Sequence, residues 1–175
     1  SLILFNSINN NENICILGDY DVDGVCATSL LVRYFIHINQ KHYFYIPDRV
    51  ADGYGASKKL FQKLILKKPK LVIMVDCGST SNEAIDYLNK HNIKSIIIDH
   101  HEINKPYPKS DVIINPKKEI IKNENSLLCA TALTYFFIEI LVKKTQSNFK
   151  ISNFLIYLLL ATVCDVLSFS MINKI

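Results

Sequence analysis

Acidic residues and imidazoles gather in a few short stretches of this sequence: Gly18-Asp19-Tyr20-Asp21-Val22-Asp23-Gly24, Asp76-Cys77-Gly78, Asp99-His100-His101-Glu102 and Asp165. Aspartates at alternating positions in a glycine-flanked loop crowd several carboxylates together, and without a partner they repel and resist ionisation. A divalent cation removes the conflict. Hard oxygen donors suit magnesium or manganese, and the added imidazoles tilt the choice toward manganese. In an extended loop, alternate side chains would face opposite ways and so separate the roles of Asp19, Asp21 and Asp23. A calcium loop of the helix–loop–helix kind is excluded, because the position where its glutamate belongs is Leu30 and the loop follows an apolar strand. A solvated acidic turn is the bland alternative.

Asp76 alone could end a strand and cap the next helix. Two adjacent histidines after an aspartate at a strand end are more often ligands or phosphate contacts than packing residues. His37, His42 and His91 lack such company and read as surface or structural. Asp165 closes the apolar run 154–164, where a carboxylate is costly unless paired or ion-bound. Its bland alternative is a helix C-terminal residue facing solvent.

The elements that must position these residues follow from hydrophobic periodicity and turn chemistry. Short apolar strands are expected at 13–18, 42–46, 71–75, 95–98 and 112–114. Helices are expected at 25–38, 57–67, 81–91, 126–144 and 152–163, with Ser81 capping the third of them and Glu83 in its first turn. Strands alternating with helices imply an α/β fold: an open, mainly parallel five-stranded sheet with helices on both faces. Ligands of such sheets bind outside the carboxyl ends of the strands, which is where each acidic stretch falls.

The chain has 175 residues, 49% hydrophobic and 21% charged, enough for one domain with a sizeable core. Five scattered cysteines without zinc spacing fit reduced thiols, no secretory signal pattern is visible, and the longest apolar run is too short to span a bilayer. A cytoplasmic protein without a membrane partner is expected. The net charge of +4 includes clusters such as Lys67-Lys68 and Lys117-Lys118, which read either as solvated surface or as a phosphate-tracking face.

Together the motifs resemble the DHH phosphoesterase superfamily, whose name is the triplet Asp99-His100-His101. Within it they are similar to the RecJ-type single-stranded-DNA-specific exonucleases. That narrower likeness runs from Gly18-Asp19-Tyr20-Asp21-Val22-Asp23-Gly24 through Ile46-Pro47-Asp48-Arg49 and Gly53-Tyr54-Gly55. It continues through Val75-Asp76-Cys77-Gly78 and Asn115-Pro116 to Thr162-Val163-Cys164-Asp165-Val166. The resemblance implies two divalent ions, manganese preferred and magnesium possible. Asp21, Asp23, Asp76, His100 and Asp165 would hold them, with Asp19 in the same metal set and Asp76 bridging. By the same resemblance His101 contacts the scissile phosphate and Asp99 orients the histidines. Arg49, Tyr54 and Gly55 would lie near the incoming strand, while Tyr20, Tyr43 and Tyr54 offer stacking surfaces.

The implied activity is 5′-to-3′ exonuclease action on single-stranded DNA in repair and recombination. Two alternatives stay open: a DHH phosphoesterase on short oligonucleotides or nucleotides, and a catalytically inactive metal- or nucleic-acid-binding remnant. The whole chain, residues 1–175, reads as a single DHH-type catalytic domain cut at both ends, without the DHH-associated domain or OB-fold of the family. A separately encoded C-terminal half is an expected partner. Leu128-Cys129-Ala130-Thr131-Ala132 lacks the glycine usual in the family, and Leu167-Ser168-Phe169-Ser170 replaces its apolar-proline continuation.

Overall fold

The computed structural model describes residues 2–53, 55–118 and 127–166. Its centre is a parallel sheet of β1 (Ile14–Leu17), β2 (His42–Tyr45), β3 (Leu71–Val75), β4 (Lys94–Ile98) and β5 (Val112–Ile114), in the spatial order β2-β1-β3-β4-β5. Every pairing is parallel. Successive side chains of a strand point to opposite faces, so a strand covered on both sides must be apolar throughout. In β1 and β3, Ile14, Ile16, Leu71, Ile73 and Val75 enter one core, while Cys15, Leu17, Val72 and Met74 enter the other.

The first core lies under α1 (Leu2–Asn9), α2 (Val22–His37), α5 (Ala130–Thr145) and α6 (Leu155–Cys164); the second lies under α3 (Lys58–Leu64) and α4 (Asn82–Lys90). Helix α2 anchors the larger layer through Leu30, Leu31, Tyr34 and Phe35, all fully buried. Each of those apolar side chains contributes about 1.5–3 kcal/mol of transfer free energy. The expected α/β sandwich, helices on both faces of an open five-stranded sheet, is the one observed.

The main departure from expectation is the start of α2. It begins at Val22 rather than at 25, with Asp21 as N-cap accepting the Gly24 N–H at 2.9 Å. Asp23 sits in the first turn, where the helix dipole favours a carboxylate. The three aspartates therefore do not alternate along an extended loop: Asp19 leaves the strand, Asp21 caps, and Asp23 is helical. A smaller correction concerns α4, where Ser81 occupies the N-cap position without a side-chain capping bond. The start of α5 expected near 126 and the segment after Val166 fall partly or wholly outside the described residues.

Strand order places the site. From β1 the chain crosses to the edge strand β2, and β3 then returns to the other side of β1. Loops leaving β1 and β3 thus diverge in opposite directions and leave a crevice at the carboxyl ends. The tight β1–α2 turn requires Gly24, because a Cβ there would stand 2.6 Å from the backbone N and O of Asp19. No rotamer relieves a clash with backbone. Gly24→Ala should lower stability by about 1–3 kcal/mol, read by urea unfolding of the metal-free chain; an unchanged midpoint would refute the close approach.

Candidate metal centre

Asp76 leaves β3 with φ of 60°, the left-handed region that few side chains other than Asn and Asp visit. Its N–H stays on the sheet ladder, donating to the Ile98 carbonyl at 2.9 Å. The unusual backbone therefore sits at the rigid end of a central strand, the kind of place where strain accompanies function. The carboxylate is fully buried, and among the described residues neither oxygen makes a well-formed hydrogen bond, although His100 Nε2 stands 3.3 Å from Oδ1. Burial first, then the charges of Asp23 and Asp21, push this carboxyl up to about 10. Burial likewise raises Asp19 and Asp165 above the ordinary carboxylate range.

The remaining donors surround it. His100 Nε2 lies 3.3 Å from Asp76 Oδ1, 3.6 Å from Asp23 Oδ2 and 3.7 Å from Asp165 Oδ2. These separations are long for hydrogen bonds and fit ligands around a cation, since oxygens at about 2.0–2.6 Å from an ion stand roughly 3–4 Å from one another. Three overlapping sets each hold their ligand atoms within 4.8 Å: Asp76 with His100 and His101, Asp23 with His100 and Asp165, and Asp19 with Asp21 and Asp76. Asp76 and His100 each belong to two of the sets, so the donors form one continuous centre. Residues far apart in sequence have converged as the motif reading required.

Asp99 is the counterexample among the buried carboxylates. Burial works against its charge, but hydrogen bonds from the His101 and Ser79 side chains and from the His101 N–H together outweigh it and hold Asp99 well below the usual range. Its Oδ1 accepts from His101 Nδ1 at 2.8 Å and its Oδ2 from Ser79 N–H at 3.0 Å. That bond in turn raises His101, with burial opposing. The His101 ring is thus held through Nδ1 by Asp99.

Asp23 has a second task that its spacing did not announce. Its Oδ2 accepts the Ala130 N–H at 2.7 Å and its Oδ1 the Thr131 N–H at 2.8 Å, while the Thr131 hydroxyl donates to the Asp23 carbonyl at 2.9 Å. An aspartate of α2 thus caps α5, whose own N-cap Cys129 makes no side-chain bond. Sequence reasoning had marked the segment around Ala130 only for lacking a glycine. No local signal joins the two positions.

Around the centre, Gly55, Gly78, Ser79, Thr80, Ser81, Asp99, His101 and Glu102 line a cavity of 350 Å³, which places Gly55 at the site. The guanidinium of Arg49 lies 5.5 Å from the centre of the Tyr20 ring. Tyr54 is outside the described residues. Tyr43 is not available for stacking, since its hydroxyl donates to the Leu64 carbonyl and its ring packs on the second core. Lysines read as a phosphate-tracking face are in several cases spent on surface pairs: Lys58 with Glu83, Lys63 with Asp52, Lys117 with Glu102. His37, His42 and His91 make local contacts away from the centre. No described helix is long and apolar enough to cross a membrane.

The model of the DHH family, N-terminal domain, matches residues 13–163. The chain belongs to that family. Among curated relatives, the single-stranded-DNA-specific exonuclease RecJ of Bacillus subtilis is 34% identical over 112 residues, 64% of this chain and 14% of that protein. RecJ of Haemophilus influenzae is 26% identical over 184 aligned positions, covering 99% of this chain and 32% of the relative. The chain thus spans less than a third of either protein's length, 14% and 32%. A crystal structure of exonuclease RecJ bound to manganese superposes with a TM-score of 0.84 at 23% identity, over 95% of this chain and 42% of that one. RecJ of Thermus thermophilus in complex with Mn2+ gives 0.71 at 21% identity, over 83% and 20%. This DHH chain has the fold of those domains.

The opposite surroundings of Asp76 and Asp23 give opposite expectations for the metal-free chain. Between an unfolded carboxyl pKa of about 3.9 and the folded value of about 10 for Asp76, folded protein holds a proton that unfolded protein has released. The stability this contributes is complete below the lower limit and is lost as pH rises through the window. Asp19 and Asp165 act in the same direction, Asp99 in the other. In chelator, thermal unfolding should fall from pH 6 to pH 8; Asp76→Asn should flatten the slope and raise the melting temperature at pH 8. Asp23→Ala should instead cost about 1–2 kcal/mol in the metal-free chain, by loss of the cap. Equal destabilisation by both substitutions would contradict this division.

Proposed function

We propose that this domain hydrolyses phosphodiester bonds of single-stranded DNA from the 5′ end, with two divalent cations held between Asp19, Asp21, Asp23, Asp76, His100 and Asp165. One observation carries the proposal: a buried carboxylate, Asp76, with no well-formed hydrogen bond on either oxygen among the described residues, ringed by oxygen and imidazole ligands. That donor set fits hard or borderline cations, manganese or magnesium, better than any proton arrangement. Asp76, a carboxylate common to two of the donor sets, would be shared between the ions. When bound, such cations would supply a nucleophile at neutral pH and stabilise charge on attacking and leaving oxygens.

The chain's own residues supply the rest. Asp99 accepts from His101 Nδ1 and favours the protonated ring, so Nε2–H can donate to a non-bridging phosphate oxygen and offset developing charge there. Arg49, stacked on Tyr20, meets the backbone of the incoming strand, and Gly55 forms part of the wall beside His101. Likeness to proteins named single-stranded-DNA-specific exonucleases supports the substrate class and a place in repair and recombination. A further segment or separately encoded half is the proposed partner. It would cover α6, which exposes Ile156, Leu160 and Val163 next to Asp165.

The test is manganese-dependent release of mononucleotides from a 5′-labelled single strand, by the chain alone and with the C-terminal part of a relative added in trans. Asp76→Ala should abolish release, with a loss on the order of 10³-fold or more, and chelator should do the same. Faster cleavage of dinucleotides than of long strands would favour a short-oligonucleotide phosphoesterase. Tight manganese binding without cleavage in either format would mean a non-catalytic remnant.

A further inference from the structure

His101 is held by more than Asp99. Its carbonyl accepts a hydrogen bond from Asn115 Nδ2 at 2.9 Å. The same amide donates to Ser79 Oγ at 2.8 Å, and Asn115 Oδ1 accepts the Lys117 N–H at 2.8 Å. Ser79 closes the circuit, because its N–H donates to Asp99 Oδ2 at 3.0 Å and Asp99 Oδ1 accepts from His101 Nδ1 at 2.8 Å. Asp99, His101, Asn115 and Ser79 thus form a closed ring of hydrogen bonds that ties the ends of β3, β4 and β5 together.

Three features make this ring more than a turn. Asn115, Ser79 and Asp99 are 6%, 2% and 1% exposed, so water does not compete for these bonds. The amide cannot flip, since Oδ1 is committed to Lys117 and both Nδ2 hydrogens are committed elsewhere. Attachment at the ring, the N–H and the carbonyl leaves His101 little freedom in either backbone or χ angles. We propose that Asn115 is a positioning residue that fixes the His101 imidazole at the reacting phosphate. The proposal rests on the reading of His101 as the phosphate contact. The Lys117 N–H bond and the 3₁₀ turn that follows, Pro116–Lys118, are the structural part of its role; the two donated bonds are the functional part.

Asn115→Asp separates the parts, for the carboxylate still accepts from Lys117 but can donate nothing to Ser79 or His101. Both Asn115→Asp and Asn115→Ala should lower kcat roughly 10–100-fold, with KM and the manganese-induced rise in melting temperature within about twofold and a few degrees of the parent. In a His101→Ala background, Asn115→Ala should cost less than about threefold more, because a residue acting through His101 has nothing left to position. A full additional loss there, or a change confined to KM, overturns the proposal. A second arm needs no activity: imidazole ¹H–¹⁵N spectra of the metal-free chain, with His101 assigned by His101→Gln. The parent should show a single Nδ1-protonated tautomer and Asn115→Asp an averaged one. If the parent cleaves nothing while these signals respond, the proposed function falls and the positioning stands. If they do not respond, the positioning falls whatever the activity.

Discussion

Taking the Asp76 carboxylate out of water costs several kcal/mol unless a proton or a positive charge meets it, and no described donor makes a well-formed hydrogen bond to it. The residue cannot relax away, because its N–H is held on β4 and its backbone is already in the left-handed region. Asp21 and Asp23 add negative charge beside it. An ionised Asp76 among other carboxylates is unstable on its own terms, so without a cation the carboxyl keeps its proton. Cations at the centre would make the ionised form favourable, and His100 and Asp165 stand close enough to share them.

Three buried aspartates, one chemistry and three fates show how far surroundings decide. Asp76 is driven up by burial and like charge; Asp99, equally buried, is held down by hydrogen bonds from His101 and Ser79. Asp23 is met by the N-terminus of α5, whose N–H groups and dipole balance it. The first is suited to bind cations, the second to orient a histidine, and the third to join the site to the scaffold. Asp23 still faces His100 across 3.6 Å. It therefore contributes negative charge to the centre while anchoring a helix of the larger layer.

Most of this was legible where local chemistry and global packing agree. β3 and β5 fall at the expected 71–75 and 112–114, because an apolar run bounded by Asp, Gly or Pro leaves little latitude. The convergence of Asp19, Asp76 and His100 follows from strand order, which a parallel α/β pattern constrains to few choices. Two things were hidden. The Asp19–Asp23 segment reads equally as an extended loop or as a strand end followed by a capped helix, and only packing of α2 decides it. Partners such as Asp23 with Ala130, or Asn115 with Ser79, depend on contacts across 107 and 36 residues, for which no periodicity exists. Asn115 stood in view beside Pro116, but a polar residue at a strand end has many ordinary uses.

The centre also ties the two helical layers to one another. Asp23 and Asp165 arrive from α2 and the end of α6 on one face, while the loop after β3 leads into α4 on the other. A cation bound by ligands from several elements binds the folded chain and has little hold on the unfolded one, so its binding free energy is added to that of folding. Residues of α2, α5 and α6 that never touch an ion can then alter its affinity by shifting Asp23 or Asp165. The most exposed of these elements is α6, which carries Asp165 at its C-terminal end and displays Leu159, Leu160 and Val163 to solvent. A shift of α6 would carry Asp165 with it and so change the affinity of the centre for an ion.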